Sequence, residues 1–148
     1  MFFGRLFVCV HTTDIDIGRL KSVGIERIIW DIDGTLLSLL AETKKPSDKM
    51  ISFTDKVREA GIEQRILSNS TDSEKVHVVR IALGILHVIH RHEGMNRWKP
   101  WLAWIAISKM WKLSKKEMKN TILIGNNPWN DGLTALLTGM RYCQVFMP

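Results

Sequence analysis

Short apolar runs alternate along the chain with segments whose apolar positions recur every three or four residues. The first run, Glu26 to Ile32, carries Ile28, Ile29 and Trp30 in succession, the mark of a strand covered on both faces. Ser47 is placed to cap a helix reaching about Ala60, with Phe53 and Val57 on one side of it and Gly61 just past its end. "EQRILSNS" at 63–70 predicts a second strand, and "TDSE", Thr71 to Glu74, a capping box that opens a helix to about Leu83, where Gly84 stops it. "ILHVIH" at 85–90 predicts a third strand. Pro100 suits the first residue of a helix through about Trp111, and "SKKE" at 114–117 caps a short further turn. "TILIG" at 121–125 predicts a fourth strand, "WNDGLTALLTG" a helix, and "RYCQVF" at 141–146 a fifth strand. Strand and helix alternating in this way require parallel crossovers. The expected fold is α/β, a three-layer sandwich with a central five-stranded parallel sheet, formed as one domain over 1–148.

Composition agrees with a single folded core: 148 residues, 45% hydrophobic and 24% charged, with four prolines and no repeat or low-complexity run. Two cysteines, Cys9 and Cys143, are too few for a disulfide framework and fit reduced thiols in a cytoplasmic protein. "MFFGRLFVCV" at the start is interrupted by Arg5 and is shorter than a secretory signal, and no apolar stretch is long enough to span a membrane. A formal charge of +6 favours anionic partners. Much of the excess sits in Lys109, Lys112, Lys115, Lys116 and Lys119, which read as a solvated helix face. With no zinc-finger spacing, aromatic RNA-binding strand or arginine run beside them, nucleic acid is the disfavoured partner.

The candidate chemistry lies at the strand ends. In open α/β sheets ligands gather outside the carboxyl ends of the strands. There the first strand stops in Asp31 and Asp33, the second in Ser68, Asn69 and Ser70, and the fourth in Gly125, Asn126 and Asn127, with Asp131 shortly after; Lys99 opens the helix that follows the third strand. Carboxylates, a hydroxyl, amides and an ammonium around one crevice suit phosphoryl transfer. Asp31 is the candidate nucleophile, able to split one hard hydrolysis into two easier steps through an aspartyl-phosphate. Asp33 is the candidate acid and base. A hard cation, Mg²⁺, is expected to relieve repulsion between carboxylates and phosphoryl oxygens. Ser68 and Lys99 would hold phosphoryl oxygens, with Thr35 and Asn69 completing the candidate substrate-binding set. Asn127 and Asn130 read as turn formers rather than ligands.

"DIDGT" at 31–35, "ILSNS" around Ser68, "KP" at 99–100 and "ILIGNNPWND" at 122–131 together resemble the four motifs of the haloacid dehalogenase (HAD) superfamily, over roughly residues 14–146. Within it the chain looks most like the YqeG-type phosphatases of subfamily IIIA, whose relatives include phosphatidylglycerophosphate phosphatases. The resemblance implies a HAD-like Rossmannoid fold and a Mg²⁺-dependent phosphatase. It implies a metal held by the Asp31 carboxylate, the Asp33 backbone carbonyl and a fourth-motif side chain, Asn126 or Asp131. Two positions depart from the pattern. The subfamily's "DNT" is "DGT" here, and Asn126 stands where the superfamily has an acid, so the loop keeps only Asp131 as a carboxylate and metal affinity should fall. A catalytically weakened scaffold that binds an anionic partner through a basic and aromatic face is the alternative function.

The stretches from Asp31 to Ser68 and from Ser68 to Lys99 are used up by the elements already assigned, which leaves no room for a cap domain. An uncapped site favours a phosphate carried on a protein, a lipid headgroup or another large partner over a small molecule. "LLSLLAETKKP" at 36–46 is the expected flap beside the site, with Lys44 and Lys45 either meeting substrate or forming a solvated turn. His87, His90 and His92 lack the companions of a zinc set and read as structural or surface residues. Trp101, Trp104 and Trp111 suit core packing, with a homo-oligomer contact or a peripheral membrane contact as the other uses of so aromatic a helix.

Overall fold

The computed structural model describes residues 5–9, 11–91 and 111–146 of the chain. Its elements run β1 (Arg5–Cys9), α1 (Ile17–Ser22), β2 (Arg27–Trp30), α2 (Asp48–Glu59), β3 (Glu63–Ser68), α3 (Ser73–Leu83), β4 (His87–His90), α4 (Lys115–Lys119), β5 (Thr121–Gly125), α5 (Leu133–Thr138) and β6 (Arg141–Val145). All strand pairs are parallel, in the order β1-β6-β5-β2-β3-β4. The five expected strands are present, and the sheet has a sixth. β1 comes from the apolar opening stretch, which finds its partner in β6 at the far end of the chain. The stretch is short and apolar, and its partner is set by sequence more than a hundred residues away. The helix expected from Pro100, with Trp101 and Trp104, lies outside the described residues, as do Lys99 and His92.

The alternation of side chains on each strand builds two cores, one on each face of the sheet. Ile28 and Trp30 of β2, Ile66 of β3, Ile122 and Ile124 of β5, and Cys143 and Val145 of β6 face α1, α2 and α3, packing with Leu20, Met50, Phe53, Val57, Val76, Val79 and Leu83. Ile29, Leu67, Leu123 and Tyr142 face the other way, against Leu113, Met118 and Ala135, with Trp111 packed at the margin. Trp30 meets Phe53 edge to face, ring centres 6.4 Å apart, and its Nε1 donates to Gln64 Oε1 at 2.9 Å, so the large ring is buried with its polar atom satisfied. The Arg65 guanidinium stands 5.3 Å from the centre of the Trp111 ring.

The helix ends follow the expected chemistry with one correction. Ser47 caps α2 by accepting Met50 N–H, and Ser114 and Glu117 form the reciprocal capping box of α4. α3 is capped by Asp72, whose carboxylate accepts Lys75 N–H, and not by Thr71. The shift of one residue leaves Glu74 outside a capping box and free to meet Lys44.

Candidate active site

β2 lies between β3 and β5, so the chain leaves β2 toward one side of the sheet and later returns on the other. This switch in strand order opens a crevice beyond the end of β2, the usual place for a ligand in such sheets. The ladder runs one residue past Trp30, with Asp31 N–H donating to Ile124 O at 2.9 Å, and Asp31 therefore emerges beside the end of β5. After Asp33 the backbone doubles back. Gly34 N–H donates to Leu37 O at 2.7 Å, and the N–H groups of Thr35, Leu36 and Leu37 all turn to Ile32 O. Gly34 has φ +74, and a Cβ there would sit 2.2 Å from Asn126 Nδ2, so this position needs glycine both for its backbone and for the approach of Asn126.

Beyond β5 the chain takes a wide turn over Pro128–Gly132 before α5. The Asn127 side chain accepts from Trp129 N–H at 3.0 Å and Asn130 N–H at 3.3 Å. Its own N–H donates to Asp131 Oδ2 at 3.2 Å, and Asp131 is folded back over Gly125. Beneath this loop the Tyr142 hydroxyl donates to Gly125 O at 3.2 Å.

Together these turns make a cleft of about 180 Å³ lined by Asp31, Asp33, Leu39, Asn69, Asn126, Asn127, Asn130 and Asp131. Asp31 is 7% exposed and Asp131 1% exposed. Two largely buried carboxylates thus line one cleft, where a bound cation would offset their charge. Asn69, which also lines the cleft, has a buried Oδ1 that meets no hydrogen-bond donor. Carboxylate and amide oxygens of this kind fit a hard divalent cation. Among the described residues no three His, Cys, Asp or Glu side chains converge closely enough to hold a metal by themselves, so the set depends on Asn126 and on backbone oxygen.

Of the residues singled out in the sequence, the cleft brings together Asp31, Asp33, Asn69, Asn126 and Asp131. Ser68 and Thr35 do not line it. Ser68 is fully buried at the end of β3, where its hydroxyl accepts Ser70 N–H at 3.1 Å. Thr35 is fully buried too, its carbonyl accepting the Thr12 hydroxyl at 2.6 Å while its own Oγ1 is without a hydrogen-bond partner. Lys99 is among the residues not described. Asn127 shapes the turn as expected, and both it and Asn130 also reach the cleft.

Sequence reasoning missed Lys75, whose ammonium lies 2.7 Å from Asp33 Oδ1. The available signal was a cation in the first turn of the helix after β3, an end that points to the same edge of the sheet. Lys44 lies exposed in a bend, as the solvated-turn reading has it, and bridges Asp72 and Glu74 at 3.2 and 2.8 Å, which ties the flap to α3. The Asp72 carboxyl is held below the usual carboxylate range, first by the Lys75 backbone N–H and then by the Lys44 ammonium.

No family model and no curated protein sequence matches the chain. Solved structures do. A candidate 3-deoxy-D-manno-octulosonate 8-phosphate phosphatase from Vibrio cholerae is 20% identical, with 88% of this chain and 80% of that one superposed at a TM-score of 0.53. A hydrolase from Streptococcus pneumoniae is 14% identical, covering 80% of this chain and 91% of its own at 0.57. A hypothetical protein from Xanthomonas campestris is 21% identical over 86% of this chain and 66% of its own at 0.55. At these identities the likeness establishes the fold alone, an α/β sandwich around a parallel sheet shared with these proteins.

Proposed function

We propose that the protein is a Mg²⁺-dependent phosphatase that hydrolyses a phosphomonoester through an aspartyl-phosphate. The observation that carries this reading is the gathering of Asp31, Asp33, Asp131 and Asn126 in one cleft beyond the end of β2. An Asp31 carboxylate oxygen attacks phosphorus, and the bond from phosphorus to the substrate oxygen breaks as Asp33 gives that oxygen a proton. Asp33 then takes a proton from water. The water oxygen attacks phosphorus, the bond to Asp31 breaks, and orthophosphate leaves with both aspartates restored.

Asp31, Asp131 and Asn126 would hold the metal with their side chains and Asp33 with its backbone carbonyl. The cation, when bound, offsets the negative charge that otherwise keeps phosphate from a carboxylate wall. Asn69 is proposed to position the phosphoryl group, with Lys99 as its ammonium, while Ser68 and Thr35, fully buried off the cleft, would act only by shaping the turns around it. Leu39 and Leu40 of the flap and Trp129 of the loop after β5 are exposed apolar residues, Leu39 at the cleft and Trp129 on the loop that forms its wall. They favour a phosphate carried on a large or lipid-linked molecule, as in the YqeG-type reading. No helix among the described residues is long and apolar enough to cross a membrane. A single domain over 1–148 acting in the cytoplasm completes the proposal.

The test is release of phosphate from an aryl phosphate with and without Mg²⁺. Asp31→Asn should lower the rate by about 10³ or more, on the order of 4 kcal/mol of barrier. Asn126→Asp should raise activity through tighter metal binding. The second reading, a weakened scaffold, is favoured by the amide at Asn126 and by the lack of a three-acid cluster among the described residues. Wild type and Asn126→Asp both inert with Mg²⁺ would establish it in place of catalysis.

A further inference from the structure

We infer that Lys75 is a second phosphoryl-binding ammonium of this cleft, resting on Asp33 until an anionic oxygen of the substrate shares it. The inference rests on the phosphatase reading and adds to it a cation from the first turn of α3, which none of the recognised motifs includes.

Charge supplies the first reason. Among the described residues, the lining of the cleft contains three carboxylates, four asparagines and a leucine, and no positive group. A phosphomonoester brings up to about two further negative charges at neutral pH. A single divalent ion leaves that sum negative. Lys75 brings an ammonium to a carboxylate of this cleft, 2.7 Å from Asp33 Oδ1.

Geometry supplies the second. The Lys75 side chain is 20% exposed against 43% for Lys44, so its stem is packed and its head is aimed. Its backbone N–H is the donor bonded to the Asp72 cap at 3.0 Å, which fixes the residue in the first turn of an eleven-residue helix. Side chains there lean toward the helix N-terminus, and hence over the carboxyl edge of the sheet. Asp72 and Glu74, the other acids of that turn, are engaged by Lys44. An ammonium has three N–H donors, so one can stay on Asp33 while the others bind phosphoryl oxygens.

The competing explanation is a structural ion pair that only pins α3 to the loop after β2. Calorimetric titration of inorganic phosphate into the Mg²⁺-loaded protein at neutral pH separates the two. Lys75→Met should weaken phosphate binding by about tenfold or more, the worth of one hydrogen bond from a charged donor, while Lys75→Arg stays within about threefold of wild type. Asp33→Asn removes the carboxylate that competes for the ammonium and should bind phosphate at least as tightly as wild type. Mg²⁺ binding measured alone should change by less than about twofold in Lys75→Met. Lys75→Gln keeps a hydrogen bond to Asp33 without the charge, and should lose phosphate affinity as Lys75→Met does even where the methionine variant melts early.

A purely structural pair makes Lys75→Met and Asp33→Asn alike, both less stable and neither weaker for phosphate, and that result overturns the inference. So does a wild type that takes up no phosphate with Mg²⁺ present. Phosphate binding that depends on Lys75 in a protein inert toward aryl phosphate would overturn the phosphatase reading and keep this one, and turnover indifferent to Lys75 would do the reverse.

Discussion

A methyl group at position 125 has nowhere to go. A Cβ there would lie 2.2 Å from Asp131 Oδ2 and 2.8 Å from Asp131 Cβ, so the residue is glycine to make room for the acid folded over it. Gly125→Ala should push Asp131 off the strand end, costing about 1–3 kcal/mol of stability and weakening Mg²⁺ binding by tenfold or more, a loss of at least about 1.4 kcal/mol. Thermal melting and calorimetry check the two effects, and an unchanged melting point would show that the loop yields instead. Single residues were unevenly legible. Asp31, Asp33 and Asn126 could be found from spacing, because acids and amides directly after apolar strands have few other uses. The places of Ser68 and Thr35 could not, because burial depends on how neighbouring turns close over them. Lys75 was hidden for a related reason: its partner Asp33 is distant in sequence, and a lysine in a helix looks the same whether it meets water or a carboxylate.

Among the elements, the turn over Pro128–Gly132 bears most directly on the site. Asn127 holds it at both ends, accepting from the backbone of Trp129 and Asn130 while donating its N–H to Asp131. Asn127→Ala should cost about 1 kcal/mol, as loss of a cap does, and should weaken Mg²⁺ binding severalfold by loosening Asp131; Asn127→Ser should restore most of the stability. Differential scanning calorimetry with and without Mg²⁺ measures both. Element boundaries were well marked in the sequence wherever a cap declares them, as at Ser47 and Ser114. They slipped at α3, where Thr71 and Asp72 are both competent caps and the tertiary partner of Glu74, Lys44, decides between them.

Across the whole molecule, the end of the sheet away from the cleft is tied by charge. Glu63 of β3 receives Arg27 from β2 at 2.8 Å and Arg65 at 2.6 Å. Burial pushes the Glu63 carboxyl up, but the hydrogen bonds from Arg65 and Arg27 more than reverse this and leave it below its ordinary value. A lowered carboxyl stabilises the folded state above its unfolded value and ceases to do so as pH falls through the folded one. The melting temperature should therefore fall between mildly acidic pH and the folded value, and less steeply in Glu63→Gln. At neutral pH that substitution should cost about 1–2 kcal/mol, less than for a fully buried pair because Glu63 is 38% exposed. The fold class was readable at this scale from the alternation of strands and helices alone. The sixth strand was not, since its partner lies at the opposite end of the chain.

The pairing of β1 with β6 also orders how the protein is made. β1 precedes its neighbour β6 by more than a hundred residues, so it stays without that partner until Arg141–Val145 has been made, and this ladder closes a long loop at a large cost in loop entropy. The β5-β2-β3 centre, which carries the cleft, can assemble before that ladder forms.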